Sequence, residues 1–257
     1  MYKVKTKDGY SVLIYARATV AEMTTKEGMR IIAEANPYHD ELGRFTHGTG
    51  TGGAGKGPIL DEEPNEAQVN AGAAMISRAY AKDSGGAGDP AMAAIQKKMG
   101  YDKKPKIVSK NRVEKTISDG GTEMYRGVSE ARFIDQYFGG DLHAGAGYFG
   151  SGTYFAKDLM MAAGYAKDSD TIFRAALPKK AKMIEVNELY TKMDDFYNKG
   201  ISKGIKSSKL EIVLGNSGRF AAMLGYDGIT ADVGTAAEQY VVFNRGIVMV
   251  QEGPARG

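Results

Sequence analysis

The sequence predicts an α+β fold, and three features of the chain predict it. Residues 2 to 6 and 10 to 16 alternate polar and apolar positions around Lys7-Asp8-Gly9, a hairpin pattern. Apolar and alanine positions then recur at helical spacing over Asn65 to Lys82 and again from Asp89-Pro90 to about Met99. After the basic, proline-containing stretch Lys103 to Lys106, the pattern changes to short strands separated by helices. The 257 residues suffice for one sizeable core plus an appendage, with apolar and charged fractions ordinary for a globular protein.

The composition removes several classes of function. There is no cysteine, so disulfides and thiolate metal sites are excluded. His39, His47 and His143 are too scattered for a zinc set and read as surface or turn residues. The longest apolar runs, such as Ile247 to Val250, fall far short of the ~20 residues of a spanning helix. The start of the chain lacks the apolar core and cleavage site of a signal peptide. A net charge of +3 provides no global field for nucleic acid. The lysine clusters at 103, 104 and 106, at 179, 180 and 182, and at 199, 203, 206 and 209 read as solvated faces.

Taken in order, the first hairpin should be followed by a short helix from about Thr25 to Ala35, closed by Asn36-Pro37. Residues 1–45 thus form a small N-terminal element, and 46–63 a glycine-rich linker. Gly48-x-Gly50-x-x-Gly53 matches a dinucleotide fingerprint but has neither the preceding strand nor the following helix that makes it a pyrophosphate site. Gly50-x-x-x-x-Gly55-Lys56 nearly spells a phosphate loop, but Gly57-Pro58 replaces the Ser/Thr that opens the helix. Both read as linker. Residues 64–257 hold a helical lead-in and the main domain. Glu123 to Val128 reads as a strand, with Ser129-Glu130 starting a helix through about Tyr137. Thr171 to Ala176 and Lys182 to Glu185 read as central strands, Asn187 to about Gly225 as helices covering the sheet, and Tyr240 to Phe243 as a buried strand. The loop Thr230 to Ala237 is the candidate for substrate recognition.

Three segments carry chemistry. Met124-Tyr125-Arg126-Gly127 delivers an arginine, whose planar fork pairs with oxygen anions and keeps its charge, beside a glycine that admits close backbone approach. Tyr148-Phe149-Gly150-Ser151-Gly152-Thr153-Tyr154-Phe155-Ala156, followed by Tyr165, joins a glycine-paired turn to flat aromatic faces. Gly225-Tyr226-Asp227-Gly228-Ile229-Thr230 leads into Glu238-Gln239-Tyr240-Val241-Val242-Phe243. Because side chains alternate across a strand, Glu238 and Gln239 point to opposite faces, and both cannot serve one site without a bulge.

From about residue 120 to its end the chain resembles the ADP-ribosyltransferase superfamily, on the order arginine, glycine-aromatic strand, acid/amide strand. Phe149 to Ala156 with Tyr165 is similar to the Gly-x-Gly-Ile-Tyr-Phe-Ala pattern of poly(ADP-ribose) polymerases, whereas Arg126 stands where polymerases carry histidine and points to the arginine-type, toxin-like branch. The resemblance implies a split sandwich of two mainly antiparallel sheets with NAD as co-substrate and no metal. It places Arg126 at the dinucleotide anchor, the Gly127 backbone on the nicotinamide carboxamide, and Tyr154 and Tyr165 on either face of the ring, beside Phe155. The carboxamide-binding serine of polymerases falls at Ala162, which leaves Ser151 or Thr153 to supply a hydroxyl. Arg126 and either Glu238 or Gln239 become the catalytic residues. Alignment puts Gln239 at the glutamate position, leaving three explanations: a natural variant, an engineered inactivating change, or Glu238 acting through a bulged strand.

The implied activity is mono-ADP-ribosyl transfer from NAD to a macromolecular acceptor, protein favoured over nucleic acid, in an enzyme of toxin or phage-effector type. Chain extension is disfavoured because the histidine and glutamate linked to elongation are missing. NAD hydrolysis, or a catalytically inactive NAD-binding or virion-structural module, are the alternatives. Asp40-Glu41-Leu42-Gly43-Arg44-Phe45 resembles a short element of phage head-morphogenesis proteins, which implies a location in the virion or the host cytoplasm.

Overall fold

A computed structural model describes residues 58–83, 88–139, 145–231 and 238–253, together with the backbone of four strands between residues 2 and 34. Two compact units divide the chain, Met1–Gly48 and Thr49–Gly257. The Asp40–Phe45 element, residues 46–57 of the glycine-rich linker, the three histidines and most of the loop before Glu238 lie outside the described residues.

In the first unit, β1 (Tyr2–Lys5) pairs antiparallel with β2 (Ser11–Ile14), as the alternation predicts. The helix expected over residues 25–35 is not formed. Instead β3 (Val20–Thr24) pairs antiparallel with β4 (Arg30–Glu34). The sequence explains the correction: Thr6-Lys7-Asp8-Gly9 returns 19 residues later as Thr25-Lys26-Glu27-Gly28, followed both times by β-branched residues. Both hairpins leave the same interval between their last pairs, Lys5↔Ser11 and Thr24↔Arg30. A second copy of the hairpin therefore stands where the short helix is expected.

The second unit is a mixed α+β structure. Helix α1 (Glu66–Ala81) starts at Asn65, whose side-chain oxygen accepts from the amides of Ala67 and Gln68. Helix α2 (Pro90–Met99) is capped by Asp89 and ends at Gly100, which adopts the left-handed conformation at φ 72°. Then follow β5 (Lys106–Val108), α3 (Lys110–Ser118), β6 (Thr122–Gly127), α4 (Arg132–Gly139), β7 (Gly145–Gly147), β8 (Gly150–Ala156) and α5 (Leu159–Ala163). The chain continues through β9 (Ile172–Leu177), β10 (Met183–Glu185), α6 (Val186–Ser202), α7 (Ser207–Leu214), α8 (Ser217–Met223), β11 (Gly228–Ala231), β12 (Gln239–Val242) and β13 (Met249–Gln251).

Eight strands form one curled sheet in the order β10-β11-β12-β8-β6-β9-β13-β5, and β7 pairs with β8 off this path. The β10/β11 and β13/β5 pairs are parallel and the remaining ladders antiparallel. Thus β9 is central as expected, whereas β10 is an edge strand. Its partly exposed three-residue run has a neighbour on one side alone. Between β8 and β6 the ladder shrinks to one residue pair, Tyr125↔Ala156, so the sheet has a seam at its middle.

Two cores flank this sheet. Val241, Ile229, Ile184 and Phe243 face α1, α2, α6, α7 and α8, while Phe155, Tyr240 and Val242 turn the other way, towards Met124, Phe173 and Tyr137 of α4. Each fully buried aliphatic or aromatic side chain here contributes about 1.5–3 kcal/mol. Near the seam, α5 lies over a smaller cluster of Ala156, Ala162 and Ile172.

Candidate functional site

The β6–β8 seam opens into a cleft of about 510 Å³, lined by Arg126, Gly127, Tyr154, Phe155, Tyr165 and Gln239 among the predicted residues. Residues separated by more than a hundred positions therefore meet in one place. Its further lining includes Tyr125, Tyr148 and Ala156, which belong to the quoted motifs without an assigned role, and Met161, which lies outside them.

Register explains the convergence. Tyr125 pairs with Ala156, and Ala156 with Gln239, so these three side chains stand in one row across β6, β8 and β12. Two residues along, Tyr154 pairs with Val241 on the same face. Gly127 lies on that face of β6. The Val128 amide donates to the Thr171 carbonyl at 3.0 Å. By antiparallel alternation, the amide and carbonyl of Gly127 then turn away from β9, towards the cleft.

Gly127 could carry no side chain. An added Cβ would lie 1.9 Å from the Ala162 carbonyl oxygen and 2.9 Å from the Ala166 amide nitrogen. The last turn of α5 rests directly on this glycine, which is how Tyr165 reaches the cleft. Tyr165 is 65% exposed and Tyr148 85%, so both stand at the mouth of the cleft.

Arg126 points to the opposite face from Tyr125 and Gly127 and reaches the seam from below. Its Nη1 donates to the Tyr154 carbonyl at 2.6 Å, bridging the gap where the ladder fails. Burial lowers its pKa from the usual guanidinium value. No carboxylate pairs with it among the described residues. A guanidinium that uses one donor on a carbonyl keeps others for an anion.

The Tyr154 ring packs over Gly147, where a Cβ would meet the ring at 2.2 Å. Its hydroxyl donates to the Gly150 carbonyl at 2.6 Å and accepts from the Phe149 amide at 3.0 Å. Burial pushes its pKa up to about 12. With its hydroxyl held in the turn, Tyr154 offers the cleft a flat face alone.

Two predicted hydroxyls do not reach the cleft lining. Ser151 is fully buried and donates to Asp89 Oδ2 at 2.5 Å, while Asn216 Nδ2 donates to Ser151 Oγ at 3.0 Å. Thr153 is buried with its hydroxyl unpartnered and shares a strand face with Phe155. Both are odd-numbered on β8 and point away from Tyr154. Phe155 lines the cleft at its inner end but packs chiefly against Tyr137 and Phe173.

At the acid/amide pair the strand runs without a bulge: the Lys157 amide donates to the Glu238 carbonyl at 3.0 Å, and Gln239 stays paired with Ala156. The Gln239 side chain consequently faces the cleft and Glu238 the other side. There Glu238 forms an ion pair with Lys157 and accepts from the Tyr240 hydroxyl at 3.0 Å. Action of Glu238 through a bulge is thereby removed from the three explanations. The described lining of the cleft has one formal charge, on Arg126, and no carboxylate.

Among the described residues no group of three or more His, Cys, Asp or Glu side chains could hold a metal ion, and no helix is long and apolar enough to cross a membrane. Compared with protein-family models, with curated proteins and with solved structures, the chain matches none of them. Geometry alone therefore supports a functional reading.

Proposed function

We propose that the cleft binds NAD and that the protein is a mono-ADP-ribosyltransferase of toxin or phage-effector type. The observation that carries this reading is the meeting of Arg126, the Gly127 backbone, Tyr154, Tyr165 and Gln239 in one cleft at the seam. The seam also supports reading the curled sheet as the two-part sandwich of ADP-ribosyltransferases, with the ligand between its halves. A cleft of this size suits a drug-sized or cofactor-sized ligand.

In this reading Arg126 pairs with an oxygen anion of the dinucleotide, and Gly127 offers a donor and an acceptor to the carboxamide. Tyr154 and Tyr165 stack on the pyridinium ring, each contact contributing about 0.5–2 kcal/mol. The bond between the nicotinamide nitrogen and the ribose carbon breaks, its electron pair leaves with nicotinamide, and the acceptor's nucleophile bonds to that carbon while losing its proton. Gln239 hydrogen-bonds a ribose hydroxyl but brings no negative charge to the developing cation.

A carboxylate-free lining favours a second reading, an NAD-binding module with little or no turnover. The test is incubation of the wild type, Arg126→Ala and Gln239→Glu with labelled NAD and a bacterial lysate, with NAD binding followed by calorimetry. Arg126→Ala should lose binding and labelling. Gln239→Glu should raise turnover by about 10²-fold or more, the effect of one preorganised electrostatic contact. Nicotinamide release without labelled macromolecule identifies hydrolysis. Binding without turnover in both wild type and Gln239→Glu identifies the inactive module, and no binding by the wild type refutes the NAD site.

A further inference from the structure

The row Tyr125–Ala156–Gln239 places two polar side chains on either side of an alanine, across three adjacent strands. Ala156 between them packs against Ala162 of α5, and Tyr125 and Gln239 both line the cleft on either side of it. Tyr125 lines the cleft, and its hydroxyl donates at 2.7 Å to Oε1 of Glu123, two residues back on the same strand face. Glu123 is itself held from behind: Arg174 Nε and Nη2 lie 2.6 and 2.5 Å from the same carboxylate oxygen. Arg174 in turn is fixed by Glu114, at 2.5 Å, and by Gln251, at 3.3 Å. Four side chains thus orient one phenol at the edge of a cleft whose lining holds no acid.

We infer that Tyr125, held by Glu123 and Arg174, is a ribose-contacting residue that positions the sugar opposite Gln239. This rests on the NAD reading above. The phenol donates to Glu123 and lies within hydrogen-bonding reach of the Arg174 guanidinium, so its oxygen is fixed in position. Its remaining lone pair accepts a hydrogen bond from a ribose hydroxyl, while Gln239 engages the sugar from the other side of Ala156. No proton transfer is required. The role is to hold the sugar so that its bond to nicotinamide faces the open mouth.

The experiment compares calorimetric binding of NAD and of nicotinamide, which lacks the ribose, to the wild type, Tyr125→Phe and Glu123→Gln. Tyr125→Phe should weaken NAD about tenfold, the effect of one lost hydrogen bond at the upper end of the usual range, and leave nicotinamide unchanged within about twofold. Glu123→Gln keeps an acceptor for the phenol but not the charge, and should weaken NAD by a smaller factor. Equal NAD affinity in Tyr125→Phe and the wild type overturns the contact while leaving the NAD site standing. Parallel loss of both ligands also overturns it, since that signature belongs to a wall that has collapsed. Absence of NAD binding by the wild type overturns this inference and the underlying reading together.

Discussion

Replacing Gly127 with alanine tests the architecture of the cleft without assuming any activity. The new Cβ would stand 1.9 Å from the Ala162 carbonyl oxygen, where ordinary contact begins at 3.4 Å. The obstructing atoms belong to the α5 backbone, so no side-chain rotation relieves the overlap, and the helix end must retreat by about 1.5 Å. Overpacking of this kind costs about 1–3 kcal/mol or more. For a unit of this size each kcal/mol lowers Tm by about 2–4 °C, giving an expected fall of roughly 3–10 °C. Tyr165 moves with α5, so NAD affinity should fall as well. Gly164→Ala is the matched control, because Gly164 has an ordinary helical backbone at φ −63° and its nearest obstruction is at 3.3 Å. That variant should stay within about 1 kcal/mol of the wild type. Calorimetric melting of the three proteins decides the matter. If Gly127→Ala melts within about 2 °C of the wild type, α5 does not rest on β6 as described.

Two further outcomes are expected. Asp89→Ala should cost about 3–5 kcal/mol in urea unfolding, because it removes a buried carboxylate that lies 3.5 Å from the Arg219 guanidinium, caps α2 and accepts from Tyr80 and Ser151. A loss below about 1 kcal/mol would show that the pair does not form. Stability should fall as pH rises from about 10 towards 12. Burial raises the phenols of Tyr101 and Tyr154 to about 12, so the folded state holds protons that the unfolded chain has already released. Tyr154→Phe should remove its share of that alkaline loss, measured as the change in urea midpoint between pH 9 and 11.

The parts of the fold that the sequence discloses are those with local causes. Asn65 and Asp89 announce their helices because a side-chain acceptor before an apolar repeat satisfies amides that nothing else can. The strand from Tyr240 is legible in its β-branched run, and the opposite orientation of Glu238 and Gln239 follows from alternation alone. Ser151 was misread because its surroundings are not local. Its partner Asp89 lies 62 residues away, and nothing near Ser151 announces a buried carboxylate. Tyr125 stands in a quoted motif but its role is not legible there, since its place in the cleft depends on a register with β8 and β12 that only the folded sheet fixes. The β3–β4 hairpin is different. Its signal, the return of Thr-Lys-acid-Gly after 19 residues, is local and present in the sequence, and a segment this short defines no helical period against it.

The lone Tyr125↔Ala156 rung gives the sheet a crease. Each half keeps its own ladders, so bending stiffness is lowest along that line, and flexing there changes the width of the gap without breaking a strand on either side. Whatever spans the crease acts as a brace. One such brace is the Arg126 guanidinium resting on the Tyr154 carbonyl and another is the end of α5, set on Gly127 and Ala156; an anion that drew the guanidinium towards itself would leave α5 to hold the two halves.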